Sequence, residues 1–188
     1  MIKPYKIRYY LERRDLLFEE KMNQVLLVYR EVMTTVAEDD AESLVAYISY
    51  EEKPGLQDIE NIATDLCPVP GEYPTIARGY EYKRYGTLSL LAGIDLMTGV
   101  IIATVEDRHR STEFVSYLMK VDAYYTEHQK IRMILDNHSS HISKETRVYL
   151  ATKPNRFEFI FTPTHASWLN IIETFLASLP EQCFVVSG

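Results

Sequence analysis

Apolar residues recur at helical spacing near the start of the chain. Between Asp15 and about Val36 the apolar positions lie three to four residues apart, with Glu19, Glu20 and Lys21 between them. This spacing predicts an amphipathic helix. The acidic stretch AEDDAES at 37–43 follows it without any apolar period, which indicates a linker or a domain boundary. The first helix is therefore assigned to an arm that precedes the main domain.

The apolar runs that follow are shorter, and some of them have the spacing of strands and others that of helices. The first, LVAYISY at 44–50, predicts a buried strand that ends at a turn, EEKPG. Residues 87–107 predict a hairpin that turns around 97–99, whereas residues 56–86, rich in Pro, Gly and Tyr, predict an irregular loop. Further strands are predicted at 130–137 and 157–163.

Three amphipathic runs lie between and after these strands. Ser111 is placed as the N-cap of a helix over 111–126, Ser143 opens a second, and a third spans about 166–179. The resulting order, β-β-β-α-β-α-β-α, predicts an α/β fold with a mixed sheet flanked by helices. This is also the element order of the ribonuclease H-like fold.

Composition and charge narrow the class of protein. With 188 residues, 46% of them hydrophobic and 25% charged, the chain has the composition of a globular domain. It has no apolar run of about 20 residues and no signal-peptide pattern, so a cytoplasmic location without membrane contact is expected. Cys67 and Cys183 lack ligand spacing and are interpreted as incidental. The net charge of −7 disfavours a nucleic-acid partner, although basic residues cluster in 1–14, 78–84 and 108–110.

Carboxylates occur at the polar ends of several predicted elements. Glu51 and Glu52 follow the first strand, Asp136 follows the fourth, and Glu173 lies in the last helix. Side chains in such positions can converge in a cleft, and phosphoryl transfer on DNA needs a carboxylate cluster that holds two magnesium ions. Taken singly, each carboxylate is better explained as a solvated residue at the end of a strand than as a metal ligand.

The sequence around these carboxylates resembles a known family. ISYEEKPGLQ at 48–57, ILDNHSSH at 134–141 and FTPTHASWLNIIETF at 161–175 are similar, in order and spacing, to the three catalytic blocks of DDE-type transposases of the bacterial insertion-sequence branch of the Tc/mariner superfamily. The resemblance extends through 84–118 and back through 2–15.

The resemblance implies a catalytic domain at 43–188 that cleaves and transfers DNA strands with Mg²⁺, or alternatively Mn²⁺. Its partners would be DNA, as transposon ends and target, and a second copy in a homodimer through the first helix. Residues 1–42 would be a helical arm and linker, the tail of a helix-turn-helix region that the chain lacks. Together with Pro180, which is expected to end or kink the last helix, this lack indicates a truncated or frameshifted copy.

Three residues are carried over as metal ligands and catalytic residues. Asp136 matches the second acidic residue of the family and Glu173 the third. Glu51 stands where the family has its first aspartate, and its side chain is longer by one methylene. Because magnesium tolerates little departure from octahedral geometry, impaired catalysis is expected. The alternative function is a catalytically impaired remnant that at most binds DNA or a sister transposase.

Four further residues are candidates for DNA contact. Lys53, Asn137, His138 and Trp168 could reach a phosphate or a base. Lys53 is equally well explained as a solvated side chain, and Asn137 as a residue that forms the turn after the strand. For Trp168, packing in the core is favoured over stacking on DNA. His141 lies one helical turn beyond His138.

A serine hydrolase is an alternative for the same segment. It would use Ser139, His138 and Asp136. Neighbours in one short turn rarely converge as a triad, and the chain has no GxSxG motif, so this alternative is disfavoured.

Overall fold

The computed structural model describes residues 15–37, 44–62, 65–77, 81–125 and 130–179. Short 3₁₀ turns at Ser139–Ile142 and Ser167–Leu169 precede the last two helices. The remaining elements are, in chain order, α1 (Phe18–Ala37), β1 (Val45–Asn61), β2 (Tyr82–Asp95), β3 (Ile101–Glu106), α2 (Ser111–Tyr124), β4 (Lys130–Leu135), α3 (Lys144–Ala151), β5 (Phe157–Phe161) and α4 (Ile171–Ser178). From β1 onward this is the predicted order.

The five strands form one mixed sheet in the order β3-β2-β1-β4-β5. The first three strands pair antiparallel, whereas β4 is parallel both to β1 and to β5. The predicted α/β fold with a mixed sheet is confirmed. Because β1 is the central strand and β4 its parallel neighbour, the residues that follow β4 lie beside the middle of β1.

Helices cover both faces of this sheet. On one face α2 and α3 bury an aromatic core in which Tyr50 of β1 packs against Phe114 and Tyr117. On the other face α1 packs three valines onto the sheet and α4 packs Ile172 and Leu176. The valines are Val25, Val28 and Val32, each at most 7% exposed.

Gly93 of β2 permits a close contact with α2 that any other residue would prevent. A Cβ at Gly93 would collide with the hydroxyl of Tyr117 and lie 2.7 Å from Cγ2 of Ile48. The tyrosine ring therefore lies directly over the glycine, and its hydroxyl donates to the carbonyl of Ile102 at 3.2 Å.

The first strand is much longer than predicted, and the prediction of a turn at EEKPG is wrong. β1 continues to Asn61 and pairs with β2 along this whole extension. The register shifts between Lys53 and Leu56, where Gly55 has a φ of 79°. A bulge thus accommodates a proline and a glycine that would otherwise end a strand. Of the predicted loop at 56–86, the two ends are β-structure, and residues 65–77 form only isolated bridges.

Two helix boundaries also differ from the prediction. The N-cap of α2 is Arg110 rather than Ser111, and the backbone N–H of Arg110 donates to Glu113 Oε2 at 2.9 Å. The last helix is not continuous from residue 166, because Asn170 is extended and separates a 3₁₀ turn from α4. The helix predicted to open at Ser143 is confirmed as α3, and Ser143 is its N-cap, since its hydroxyl accepts from the N–H of Thr146 at 3.1 Å.

The first helix is packed into the domain rather than projecting from it. Its buried valines share one core cluster with Tyr47, Ile134 and Ile160 of the sheet. The division of the chain between an arm at 1–42 and a catalytic domain at 43–188 remains a prediction, and the linker at 38–43 and Pro180 lie outside the described residues. Within the described ranges, no helix is long and apolar enough to cross a membrane.

Candidate active site

The alternation of β1 sends its neighbouring polar side chains to opposite faces of the sheet. Ser49 and Glu51 point to the α4 face, where Ser49 Oγ accepts from the N–H of Ile172 at 3.1 Å. Tyr50 and Glu52 point to the α2 face, where the Tyr50 hydroxyl donates to Glu52 Oε1 at 3.0 Å. The two adjacent glutamates therefore belong to different environments.

Asn170 joins β1 to the start of α4. Its side chain is 1% exposed, and its amide Nδ2 donates to the carbonyl of Tyr50 at 2.7 Å and to Glu51 Oε2 at 2.9 Å. Its Oδ1 accepts a short hydrogen bond from the hydroxyl of Ser49. Asn170 thus holds the Glu51 carboxylate and fixes the first turn of α4, on which Glu173 lies.

Burial raises the pKa of the Glu51 carboxyl to about 7. The hydrogen bond from Asn170 opposes this rise, whereas the negative charges of Asp136 and Glu173 add to it. The fold therefore brings the carboxyl groups of Asp136 and Glu173, 85 and 122 positions from Glu51 along the chain, within electrostatic range of Glu51.

Asp136 follows β4 directly and is held in its charged form. Its Oδ1 accepts from the backbone N–H of His138 at 2.9 Å and lies 3.2 Å from Nδ1 of His141. Partial burial would raise the pKa of this carboxyl, but the hydrogen bonds from His141 and His138 outweigh it, so the pKa lies below its ordinary value.

His141 is the buried partner of Asp136. It is 2% exposed, and its Nδ1 also lies 3.0 Å from the backbone carbonyl of Asp136. Burial alone would lower the pKa of the imidazole, but Asp136 and Glu52 raise it to about 9. His141 therefore links the carboxylate that ends β4 to Glu52 on the α2 face of β1.

The donor set of Glu51, Asp136 and Glu173 fits a hard divalent cation. All three side chains offer carboxylate oxygens, the ligands that Mg²⁺ prefers. Burial first, and then the negative charges of Asp136 and Glu173, raise the pKa of Glu51, and a bound cation would offset both effects. The three carboxyl groups are nevertheless not the tightest set of donors. Among the described residues, the donors that converge within 4.8 Å belong to Glu52, His138 and His141.

The polar side chains proposed for DNA contact are mostly engaged within the protein. Lys53 Nζ donates to the carbonyls of Leu176 at 2.6 Å and Leu179 at 2.9 Å, at the C-terminal end of α4. Asn137 Nδ2 donates to the carbonyl of Thr162 at 2.6 Å. Lys53 thus stabilises the end of α4 and Asn137 the loop after β5, and the interpretation of Lys53 as a solvated side chain is wrong.

The other two candidates retain access to solvent. Trp168 is 67% exposed, so the favoured expectation that it packs in the core is wrong. His138 is partly exposed, and its Nδ1 lies 2.8 Å from the hydroxyl of Ser140. Because that serine is buried and is not Ser139, the hydrogen bonds of this turn give the serine hydrolase alternative no support.

Sequence reasoning missed the residues that organise the site. Asn170 and Ser49 were given no role, and Glu52 and His141 were noted without one. The period-2 alternation of a strand was the available signal, because it separates Glu51 from Glu52 once β1 is known to continue past Tyr50. The bond from Asn170 to β1 joins residues about 120 positions apart, which no local pattern reveals.

Comparisons with known proteins agree with this architecture. The family described as DDE superfamily endonuclease matches residues 70–186. The insertion element IS630 uncharacterized 39 kDa protein of Shigella sonnei is 30% identical over 106 residues, which are 56% of this chain and 29% of that protein. The chain therefore matches less than a third of the length of this curated relative.

Solved structures with a similar fold include two of the Mos1 mariner transposase. Its catalytic domain is 14% identical with a TM-score of 0.51, and the match covers 95% of this chain and 78% of the other. A Mos1 mariner paired end complex with Mn is 16% identical, also with a TM-score of 0.51, and covers 97% and 55%. At these identities the likeness concerns the fold, and it confirms the ribonuclease H-like mixed sheet.

Proposed function

Since the chain belongs to the DDE superfamily of endonucleases, we propose that it carries the catalytic domain of a Tc/mariner-type transposase that cleaves and transfers DNA strands during transposition of an insertion sequence. The observation that carries the proposal is that Asp136 and Glu173, which come from two other elements, lie close enough to the buried Glu51 carboxyl for their charges to raise its pKa. The similarity to the insertion element protein supports the transposase assignment within the family.

In this proposal the three carboxylates hold Mg²⁺, with Mn²⁺ as the alternative. A divalent ion bound there supplies activation of the attacking oxygen and stabilisation of the leaving one. Asp136 remains ionised because His141 and the N–H of His138 hydrogen-bond to it. Asn170 orients the Glu51 carboxylate by donating a hydrogen bond to its Oε2. Glu173 is placed by the first turn of α4, whose start is fixed to β1.

DNA is the proposed partner, both as the transposon ends and as the target. Trp168 and His138 are exposed or half-exposed on the loops beside Glu173 and Asp136, so they are the side chains proposed to contact it. A ring such as that of Trp168 can stack on an unpaired base. Lys53 and Asn137 are proposed instead to stabilise the backbone around the site through their hydrogen bonds to α4 and to Thr162. Homodimerisation through α1 remains a prediction.

The residue at position 51 favours a second candidate function, a catalytically impaired remnant. Glu51 occupies the place of the family's first aspartate, and the bond from Asn170 holds its longer side chain. A carboxylate placed one methylene too far would misalign a bound ion and the attack that depends on it. The two candidates share the fold and the partner and differ in the rate of strand cleavage.

Nicking of supercoiled plasmid DNA by the purified chain tests the proposal. We expect conversion to the open circle that requires Mg²⁺ or Mn²⁺ and disappears in Asp136→Asn. Glu51→Asp is assayed in parallel, so that weak activity of the natural chain does not hide the reaction. Nicking that persists in Asp136→Asn, or its absence from the folded Glu51→Asp variant, would refute the assignment as a metal-dependent DNA-cleaving enzyme.

A further inference from the structure

A second cluster of metal-donor side chains lies on the α2 face of β1. It consists of Glu52, His138 and His141, whose donor atoms all lie within 4.8 Å of one another. None of these residues belongs to the carboxylate site on the α4 face. We propose that they bind a divalent transition-metal ion such as Zn²⁺, in a site distinct from the one proposed for Mg²⁺.

Each of the two imidazoles lies close to one oxygen of Glu52. Nδ1 of His138 lies 3.5 Å from Glu52 Oε2, and Nε2 of His141 lies 3.4 Å from Glu52 Oε1. Ligands about 2.0–2.1 Å from a tetrahedral zinc ion are about 3.3 Å from each other. Two imidazoles and one carboxylate form a donor set that zinc accepts in proteins, with a fourth position left for water.

The buried nitrogen of His141 is the independent observation that points to a ligand. Nε2 of this 2% exposed residue has no hydrogen-bond partner among the described residues, although Glu52 Oε1 lies 3.4 Å away. A buried ring nitrogen without a partner is costly. A metal ion between Nε2 and Glu52 would give this nitrogen a partner; Glu52 Oε1 already accepts from the Tyr50 hydroxyl at 3.0 Å.

The other nitrogen of His141 has the environment of a metal-bound imidazole. Nδ1 lies 3.0 Å from the carbonyl and 3.2 Å from Oδ1 of Asp136. Protein imidazoles that bind a metal through one nitrogen commonly donate the other N–H to a carboxylate or a carbonyl, which fixes the ring and its tautomer. Asp136 would thus orient the ligand of one ion and bind the other.

The position of the cluster gives the ion a structural consequence. Glu52 belongs to β1, whereas His138 and His141 lie in the turn after β4. An ion held by all three would tie the central strand to the turn that carries Asp136. The two imidazole nitrogens of this cluster favour a borderline metal ion such as Zn²⁺, whereas the all-oxygen set of Glu51, Asp136 and Glu173 favours Mg²⁺. The two proposed sites therefore differ in the metal ion that they select.

The test is titration of the full chain with Co²⁺, a spectroscopic substitute for zinc, in excess Mg²⁺. We expect one equivalent to bind and to produce the visible absorption of a tetrahedral site. Glu52→Gln and His138→Ala should each weaken binding at least about 100-fold, since even loss of a supporting hydrogen bond costs 10–100-fold. Glu51→Gln and His165→Asn, a matched glutamate and a matched histidine outside the cluster, should bind as the natural chain does.

Thermal melts without metal establish that each variant is folded, and the part-exposed His138 gives a variant that does not depend on replacing a buried side chain. Three results would overturn the proposal: no Co²⁺ binding by the natural chain, binding unchanged in folded His138→Ala, or binding lost in Glu51→Gln but retained in Glu52→Gln. The last result would assign the ion to the carboxylate site. None of the three results depends on plasmid nicking, so failure of this proposal is distinguishable from failure of the proposed function.

Discussion

Glu51 and Glu52 are neighbours in the chain, yet their carboxylates face opposite sides of the sheet. Glu51 Oε2 accepts a hydrogen bond from Asn170 at 2.9 Å on the α4 face, whereas Glu52 Oε1 lies 3.4 Å from Nε2 of His141 on the α2 face. Asp136, which directly follows the adjacent parallel strand, influences both environments. One residue of register on β1 therefore decides which carboxylate meets Glu173 and which meets the imidazoles.

Shortening the side chain at position 51 should increase strand cleavage. In Glu51→Asp the carboxylate withdraws by one methylene, to the length found in the family, and we expect the nicking rate to rise on the order of 100-fold because the bound ion is better aligned. The measurement is the initial rate at saturating Mg²⁺. Fusion of both proteins to the same DNA-binding module controls for DNA affinity, and equal rates would refute the idea that Glu51 impairs catalysis.

Removing the side chain of Asn170 should loosen the site and the fold together. Asn170→Ala leaves the carbonyl of Tyr50 and the hydroxyl of Ser49 without their buried partner, which costs about 1–3 kcal/mol in the free energy of unfolding. Urea denaturation measures this loss, and nicking should fall as well. The matched variant is Asn137→Ala, whose bond to Thr162 is nearer the surface. A loss for Asn137→Ala as large as that for Asn170→Ala would contradict the prediction.

A methyl group at position 93 should destabilise the sheet–helix contact. In Gly93→Ala the new Cβ collides with the hydroxyl of Tyr117 and with Ile48, and overpacking of this kind costs about 1–3 kcal/mol in the free energy of unfolding. The cost should be smaller in a Tyr117→Phe background, because the nearest atom is then absent. A double-mutant cycle by urea denaturation checks this coupling, and strictly additive effects would show that the collision is relieved elsewhere.

Acid should remove the contribution of Asp15 to stability. Its carboxylate accepts from the N–H groups of Leu17 and Thr164 and from Lys21, each at 3.0 Å. The bond from Thr164 comes first among the causes that hold its pKa far below the ordinary 3.8. The stabilisation is therefore present above the unfolded-state pKa and is lost as the pH falls below it.

The comparison that reveals this contribution is the natural chain against Asp15→Asn in urea denaturation at several pH values. The natural chain should be the more stable at pH 7, and the difference should shrink below about pH 4. A difference that stays constant from pH 7 to pH 3 would mean that the charge of Asp15 is not responsible.

How much could be predicted from the sequence depended on how local each feature is. The order of elements followed from apolar periodicity, and the start of α3 at Ser143 was correctly predicted because a helix start depends on residues only about three positions apart. The extent of β1 was not predictable in this way, because pairing with β2 overrides the breaking effect of Pro54 and Gly55. The tertiary bonds of Lys53 and the exposure of Trp168 likewise depend on parts of the chain far from those residues.

The hydrogen bonds between α4 and β1 make the helix that carries Glu173 part of the same folding unit as the central strand. A helix of eight residues is too short to persist alone in water. Asn170 fastens its first turn to Tyr50 and Glu51, and Lys53 fastens its last carbonyls to the same strand. The helix therefore depends on β1 for its stability, and Glu173 keeps its position in the site only while that strand is folded. Hydrogen exchange of the α4 amides should consequently follow the opening of β1 and show no separate fraying of the helix.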